Sequence, residues 1–206
     1  MGYRKFVCLN IAVIGNGPRV AAFAEKLARE GHTVFIGLNE DEDDNVLVDA
    51  ELDNIFFENI ADAAAQADVI YMAIPADRVR EVAYMMGDVR DKIIIDSSAN
   101  IDPKPEHYIA TLKAAIAITG AEHMVKSYFL EPEFEAREDG DIFFAGNSKK
   151  AKAIAMMLAN SLGFINTYDF GDIDTVPLLE DMARCWYNLA IKQNMGKNIT
   201  FKIVTR

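Results

Sequence analysis

Two glycines separated by a single residue are the feature of this sequence that points most directly to chemistry. Gly15, Asn16 and Gly17 follow an apolar stretch at 11–14 and precede an amphipathic stretch at 18–29. Glycine keeps a turn tight and lets main-chain N–H groups approach a ligand, and the N-terminus of a helix attracts negative charge. The arrangement predicts a site for an anionic group such as a pyrophosphate. The residues predicted to form this site are Gly15, Asn16, Gly17, Pro18 and Arg19.

The elements around this loop predict a dinucleotide-binding βαβ unit of the Rossmann type. An apolar strand at 11–14 is followed by a helix and by a second strand at 33–38. Gly31 stands where a helix of this length would end. The third glycine of the G-x-G-x-x-G pattern is replaced by Val20, whose bulk is expected to push the helix outward slightly. The apolar face of the helix has helical spacing and comprises Val20, Phe23, Ala24, Leu27 and Ala28.

The rest of the chain predicts an α/β protein with a mainly parallel sheet and helices on both faces. Apolar strands alternate with helices of about 10–15 residues, as in successive βαβ units. The predicted strands are 55–57, 68–75, 92–96, 123–129, 141–145 and a closing strand at 199–204. The predicted helices are 60–67, 77–86, 105–118, 148–162 and a long C-terminal helix at 175–194. The expected division is an N-terminal extension at 1–10 and one domain at 11–206, with a soft boundary near residue 130.

Composition narrows the classes of partner. A formal charge of −11 argues against nucleic acid or an anionic membrane surface, because both require a basic patch. The two cysteines, Cys8 and Cys185, are interpreted as free thiols of a reducing compartment. No apolar run approaches the roughly 18 residues of a spanning helix. We therefore expect a soluble cytoplasmic protein, and the histidines predict no metal site because their spacing fits none.

Six segments carry a family resemblance. In order they are IAVIGNGPRVA, ADVIYMAIPADRV, KIIIDSS, HMVKSYF, FFAGNSKKAKAIAMMLANSLGF, and LLEDMARCWYNLA followed by MGKNITFKI. This order resembles the NADP reductases that depend on the deazaflavin coenzyme F-420, and it is similar to the cytoplasmic domain of membrane ferric reductases. The resemblance covers the chain from Ile11 to Val204 and is most specific from Leu178 through Gly196 to Ile203.

The resemblance implies hydride transfer between a nicotinamide and a second flat redox ring, in a protein that forms homodimers. It also implies which residues contact the cofactor at the carboxyl ends of the strands. Besides the glycine loop, these residues are Leu38 and Asn39 after the second strand, Ala73, Ile74 and Pro75 in the Ile-Pro turn, and Ser97 and Ser98 after the KIIID strand. Hydride transfer between two bound rings needs no general acid or base, so no catalytic residue is assigned.

The second strand ends in a way that departs from the family. Members that choose NADP carry a Ser or Thr and then Arg at this point, whereas here the residues are Leu38 and Asn39, followed by an acidic run at 40–44. A 2′-phosphate would be poorly placed beside these carboxylates, so the sequence favours NAD over NADP. Asn39 or Glu40 could reach a ribose hydroxyl, and Arg19 could pair with a phosphate. The electron partner remains open between deazaflavin, flavin and a ferric chelate.

Several of these residues have a structural alternative. Pro75 could simply end its strand, and Ser97 and Ser98 could form a turn. Lys126 is either a solvated lysine or one whose ammonium lies near the cleft. The helix at 175–194 has apolar residues on two sides, which predicts a homodimer anchored by Trp186 and Tyr187, unless the chain's own loop covers it.

Two functions from different classes follow. The first is a nicotinamide-dependent oxidoreductase, and the second is a non-catalytic dinucleotide sensor or pseudoenzyme that works through its dimer surface. Val20, Leu38 and the acidic run favour the sensor. A relationship to β-hydroxyacid dehydrogenases is disfavoured, because the residues after 130 are too few and too rich in strands for their helical second domain.

Overall fold

One eight-stranded sheet organises the protein. The structure is a computed structural model that describes residues 8–39, 48, 51–98, 109–128 and 140–205. Its strands are β1 (Asn10–Ile14), β2 (Thr33–Leu38), β3 (Ile55–Asn59), β4 (Val69–Met72), β5 (Ile93–Asp96), β6 (His123–Tyr128), β7 (Asp141–Ala145) and β8 (Asn166–Gly171). Their order across the sheet is β3-β2-β1-β4-β5-β6-β7-β8.

Helices pack on both faces of this sheet. They are α1 (Pro18–Arg29), α2 (Ile60–Gln66), α3 (Val79–Met85), α4 (Thr111–Thr119), α5 (Lys149–Ser161) and α6 (Val176–Tyr187). A 3₁₀ turn at Ala76–Arg78 leads into α3, and a π-helical turn at Asn188–Lys192 continues α6. The core has two parts, one between the sheet and α1 and α5, the other between the sheet and the remaining four helices.

The strand order reverses between β1 and β4. Strands β1 to β6 are all parallel, so their carboxyl ends meet at one edge of the sheet, called the carboxyl edge below. In sheets of this kind, ligands bind outside that edge at the point of reversal. β7 is antiparallel to β6, so its first residue, Asp141, also lies at the carboxyl edge. The Rossmann-like α/β fold predicted from the sequence is confirmed.

Burial on both faces explains why the central strands are apolar throughout. All residues of β4 and β5 are buried, and Ile11 to Ile14 in β1 have no exposed surface. A strand covered on two sides has no solvent-facing positions, so its hydrophobic residues form a continuous run rather than an alternation.

The C-terminal part differs most from the prediction. β8 was not predicted, and the strand expected at 199–204 is wrong, because residues 198–205 form an irregular segment that we call the tail. The indole Nε1–H of Trp186 donates to the carbonyl of Ile199 at 2.9 Å, and the N–H of Ile203 donates to Asp141 Oδ2 at 2.6 Å. These bonds hold the tail against α6 and the start of β7, so it does not pair as a ninth strand.

Among the described residues, no helix combines the length and the apolar character needed to cross a membrane.

Candidate active site

The start of α1 is an open main-chain cradle. Gly17 precedes the helix with φ 88°, Pro18 is its first residue, and no side chain among the described residues caps this end with a hydrogen bond. A Cβ placed on Gly17 would meet no atom of the described structure within 4 Å, and the first turn contains no acidic residue. The first N–H groups of a helix have no acceptor within the helix. The cradle therefore fits an anionic group such as a pyrophosphate.

Gly15 is required for a different reason, because the ends of β1 and β4 approach each other closely. It has φ 144°, and a Cβ on it would lie 2.4 Å from the carbonyl oxygen of Ala73. The same Cβ would lie 3.2 Å from a methyl group of Val20, which is buried in the core. Only glycine is compatible with this contact, so the loop keeps the shape that opens the cradle at Gly17.

The sequence at the end of β2 offers no positively charged side chain to pair with a 2′-phosphate. Leu38 is half-buried and packs against the core, and Asn39 beside it is half-buried. Residues 38–48 contain no Lys or Arg in the sequence. The acidic run at 40–44 and the side chain of Arg19 lie outside the described part of the chain, so their expected roles stay predictions.

Two further predicted segments lie side by side at the carboxyl edge. In the turn after β4, Ala73 and Ile74 are half-buried and Pro75 is exposed. The N–H of Ser97, after β5, donates to the carbonyl of Met72 at 3.1 Å. The structure thus brings residues 73–75 and Ser97 together, next to the loop that contains Gly15.

A buried polar cluster lies beside them and was not predicted. Its members are Asp96, Ser98, Thr111, Lys126 and Glu180. Lys126 is 3% exposed and Asp96 is fully buried, and their charged atoms are 3.0 Å apart. Lys126 Nζ also donates to Thr111 Oγ1 at 2.8 Å and to the carbonyl of Ser98.

Glu180 of α6 joins the cluster to the start of α4. Its Oε1 accepts from the N–H of Thr111 at 3.1 Å, and Thr111 Oγ1 donates to Asp96 Oδ2 at 2.7 Å. Thr111 is the first residue of α4, so a carboxylate there also interacts favourably with the helix dipole. Burial of charge is tolerated only with such partners, and each described member of the cluster has them.

Both hydrogen-bond donors of Ser98 are used within this cluster. Its hydroxyl donates to Asp96 Oδ1 at 2.5 Å, and its N–H donates to the same oxygen at 2.9 Å. Since a hydroxyl has one hydrogen to donate, Ser98 has none left for a ribose or an amide. The solvated alternative for Lys126 is wrong, because its ammonium is buried. The sequence signals were a lysine within the apolar strand HMVKSY and an aspartate ending KIIID, but neither identifies its partners.

Tyr128 extends the polar interior toward α6. Its hydroxyl donates to the carbonyl of Met182 at 3.2 Å. Burial, with a smaller electrostatic contribution from Cys185, raises the pKa of the phenol well above its usual range, so Tyr128 stays neutral. It acts here as a hydrogen-bond donor.

The described residues contain no group of three His, Cys, Asp or Glu side chains able to hold a metal ion. His32 is buried, and its Nδ1 accepts from the N–H of Leu9 at 3.2 Å. His123 Nδ1 lies 3.2 Å from the hydroxyl of Ser148, and His107 is outside the described residues. Each described histidine thus has a structural partner.

Comparison with protein families supports the resemblance drawn from the sequence. Residues 10–100 match the family model described as NADP oxidoreductase, coenzyme F-420-dependent. The match covers β1 to β5, the segment that builds the cradle and the adjoining turns, so the family resemblance is confirmed. No curated protein matches the sequence.

Solved structures show the same fold. A protein from Arthrobacter sp. FB24, described as a candidate F-420-dependent NADP reductase, superposes with a TM-score of 0.82 at 24% identity, covering 96% of this chain and 100% of its own. The hypothetical protein SMa0349 from Sinorhizobium meliloti gives 0.70 at 23% identity, covering 85% and 91%. The imine reductase from Myxococcus stipitatus, in complex with NADP+, gives 0.63 at 17% identity, covering 90% of this chain and 63% of that enzyme. At these identities the likeness to solved structures shows the fold alone. The family match shows that residues 10–100 are similar to NADP oxidoreductases that depend on coenzyme F-420.

Proposed function

We propose that this protein is a nicotinamide-dependent oxidoreductase that transfers a hydride between NAD(P)H and a second redox ring, a flavin or deazaflavin, or another acceptor. The observation that carries the proposal is the open main-chain cradle at Gly17, placed where the strand order reverses. A Cβ on Gly17 would meet no described atom within 4 Å, and the first N–H groups of α1 have no acceptor within the helix, so this end of α1 suits an anionic group such as a pyrophosphate.

Each segment of the carboxyl edge then has a role in binding. The cradle would hold the pyrophosphate, and Asn39 after β2 would bind the adenosine ribose. Residues 73–75 and Ser97 would line the other half of the crevice and hold the nicotinamide ring. A bound nicotinamide supplies the hydride, and the protein contributes orientation and exclusion of water, with reacting atoms about 3–3.5 Å apart.

The choice of nicotinamide depends on the end of β2. The description of the family model names NADP, but residues 38–48 contain no Lys or Arg to pair with a 2′-phosphate. Because an unpaired phosphate beside an acidic run is disfavoured, we propose that NAD is preferred. Equal or tighter binding of NADPH in parallel calorimetric titrations would contradict this preference.

A matched pair of variants tests the proposed function. Gly17 and Gly31 both have φ 88°, and a Cβ on either would meet none of the described atoms within 4 Å, but only Gly17 lies in the cradle. We expect Gly17→Asp to abolish NADH binding by placing a carboxylate where the pyrophosphate lies, and Gly31→Asp to retain it. Titration of the unmodified protein with NADH and NADPH to millimolar concentration comes first, and absence of heat for both would remove the proposal.

A dinucleotide sensor without catalysis is the second candidate. The observation that favours it is Leu38, which packs against the core where a ribose-binding polar group is expected. The two functions can be distinguished by adding FMN, a deazaflavin or a ferric chelate after NADH has bound. Loss of reduced-nicotinamide absorbance with any of them supports the enzyme, and binding without oxidation supports the sensor.

We also propose that the protein is a homodimer through the helix at 175–194. The face of this helix that carries Leu178 and Cys185 is exposed, with Leu178 at 54%. Trp186, expected to anchor the interface, is half-buried and donates to the tail, so the anchor shifts toward Leu178. Light scattering should give a dimer, Leu178→Asp should give a monomer, and Ile165→Asp, which changes an isoleucine that is 65% exposed elsewhere, should leave the dimer intact.

Two broader expectations remain proposals. We propose that residues 11–206 form one dinucleotide-binding domain, in line with one sheet that contains both β1 and β8, although β1 itself begins at Asn10, within the expected N-terminal extension at 1–10. The working compartment is the reducing cytoplasm, in line with the free, exposed thiols of Cys8 and Cys185.

A further inference from the structure

We infer that Lys126 is a positioning residue for the nicotinamide half of the dinucleotide, an inference that rests on the function proposed above. Among the described residues, the hydrogen bonds of the Lys126 ammonium go to Asp96, Ser98 and Thr111 and not to the cradle or the end of β2. Lys126 acts through the chain that follows β5, which it holds in place at the carboxyl edge.

The location of the nicotinamide half follows from the topology. The pyrophosphate sits at the start of α1, and the ribose of the adenosine half is bound at the end of β2. The nicotinamide half must then extend to the other side of the point where the strand order reverses, over β4 and β5. There the N–H of Ser97 donates to the carbonyl of Met72 at 3.1 Å, so Ser97 lies beside Ala73.

The polar groups of Ser98 are bound by two buried charges. Its N–H and hydroxyl donate to Asp96 Oδ1, while its carbonyl and its hydroxyl oxygen accept from Lys126 Nζ. In a low-dielectric interior such hydrogen bonds are stronger than in water. Asp96 and Ser98 flank Ser97, so the pair formed by Asp96 and Lys126 fixes Ser97 where the nicotinamide half is expected.

Lys126 also holds the start of α4 in place. Its ammonium donates to Thr111 Oγ1 at 2.8 Å, at the start of α4, and Glu180 Oε1 accepts from the N–H of Thr111. A single ammonium thus connects Ser98 with Thr111. Buried ion pairs are often no more stabilising than apolar residues of similar volume, so stability alone gives little reason for one at this edge.

The test compares a whole dinucleotide with a fragment that lacks only the nicotinamide base. NADH and ADP-ribose share the pyrophosphate, both riboses and the adenine. A residue that positions the nicotinamide ring, which is the part of the nicotinamide half that ADP-ribose lacks, changes the affinity ratio of the two ligands, whereas general loosening of the fold weakens both alike. The variants are Lys126→Met, the milder Thr111→Val, and Lys152→Met, which removes the lysine paired with Asp169 beside β8.

We expect Lys126→Met to weaken NADH about tenfold, which equals about 1.4 kcal/mol, and ADP-ribose less than about twofold. Thr111→Val, which keeps the charges, should shift the ratio in the same direction by about threefold. Lys152→Met should leave both affinities unchanged. Equal weakening of both ligands, or unchanged binding of both, in a folded Lys126→Met or Thr111→Val protein overturns the inference. Failure of the unmodified protein to bind either ligand overturns the proposed function itself, which is a distinguishable result.

Discussion

The cradle at the start of α1 and the buried polar cluster beside β5 occupy the same edge of the sheet, but they are built in opposite ways. The cradle consists of main-chain groups next to glycine, and it is open to solvent at Gly17. The cluster consists of side chains from β5, α4, β6 and α6, and Asp96, Lys126 and Glu180 are each 97% buried or more. One region leaves its polar groups available to a ligand, while in the other they are bound to one another.

Because of this contrast, we expect the two regions to respond differently to substitution. In an open main-chain site, changes of nearby side chains should have little effect as long as Gly15 lacks a Cβ, which would meet the carbonyl oxygen of Ala73. In a closed cluster of charges, removal of one member leaves another charge buried without its partner. Changes in the cradle should therefore mainly lower the affinity for the dinucleotide, and changes in the cluster should mainly lower the free energy of unfolding.

The largest expected effect on stability is that of Lys126→Met. Loss of the ammonium leaves Asp96 buried without its cation, which should lower the free energy of unfolding by about 3–5 kcal/mol. Lys152→Met is the matched control, because Lys152 is itself only 12% exposed but its ion-pair partner Asp169 is 54% exposed, so loss of this lysine leaves a carboxylate in contact with water. Loss of this pair should therefore lower the free energy of unfolding by about 1 kcal/mol or less. Urea titrations of both variants measure the difference, and a similar small loss for both would show that the cluster is no more sensitive than the surface.

Gly15→Ala should combine a stability loss with a loss of binding. The new Cβ meets the carbonyl oxygen of Ala73, and the strained backbone should cost about 1–3 kcal/mol. Gly146→Ala is its counterpart at the other edge, with φ 149° and a Cβ 3.0 Å from the carbonyl oxygen of Met124. Both variants should unfold at lower urea, but only Gly15→Ala should weaken NADH, by about 100-fold or 2.7 kcal/mol. Equal binding by the two variants would place the dinucleotide elsewhere.

The smallest effect concerns the choice of cofactor. Asn39→Arg adds at the end of β2 the cation that a 2′-phosphate requires, and it should raise the affinity for NADPH relative to NADH by about tenfold. Gln66→Arg adds the same charge at the end of α2 and should leave the ratio unchanged. Calorimetric titration of both cofactors measures the ratio. A shift with both variants would indicate a long-range effect of net charge rather than a contact at β2.

The cradle could be predicted from sequence because its chemistry is local. Gly15 and Gly17 lie between an apolar strand and an amphipathic helix within 20 residues, and the spacing alone specifies a turn that exposes N–H groups. The alternation of strands and helices specified the parallel part of the sheet in the same way. Gly31, with φ 88° directly after the helix, confirms that local signals also placed the end of α1.

The cluster could not be predicted because its members are far apart in the sequence. Asp96 and Lys126 are adjacent because β5 and β6 pair in this register, and Glu180 of α6 reaches the cluster through Thr111. β8 was missed for a related reason, since NTYDFG mixes polar and aromatic residues and is only half-buried. The tail has residues typical of a strand, yet its hydrogen bonds to Trp186 and Asp141 compete with pairing.

The reversed direction of β7 has a practical consequence for labelling. Because Asp141 lies at the same edge as the crevice and accepts a hydrogen bond from Ile203, this part of the tail lies at that edge too. Three inter-strand spacings separate β7 from β4, or about 14 Å. A fluorophore attached to the tail next to Val204 would lie within quenching range of a reduced nicotinamide. Binding of the nicotinamide could then be followed by fluorescence without altering any residue that contacts this ligand.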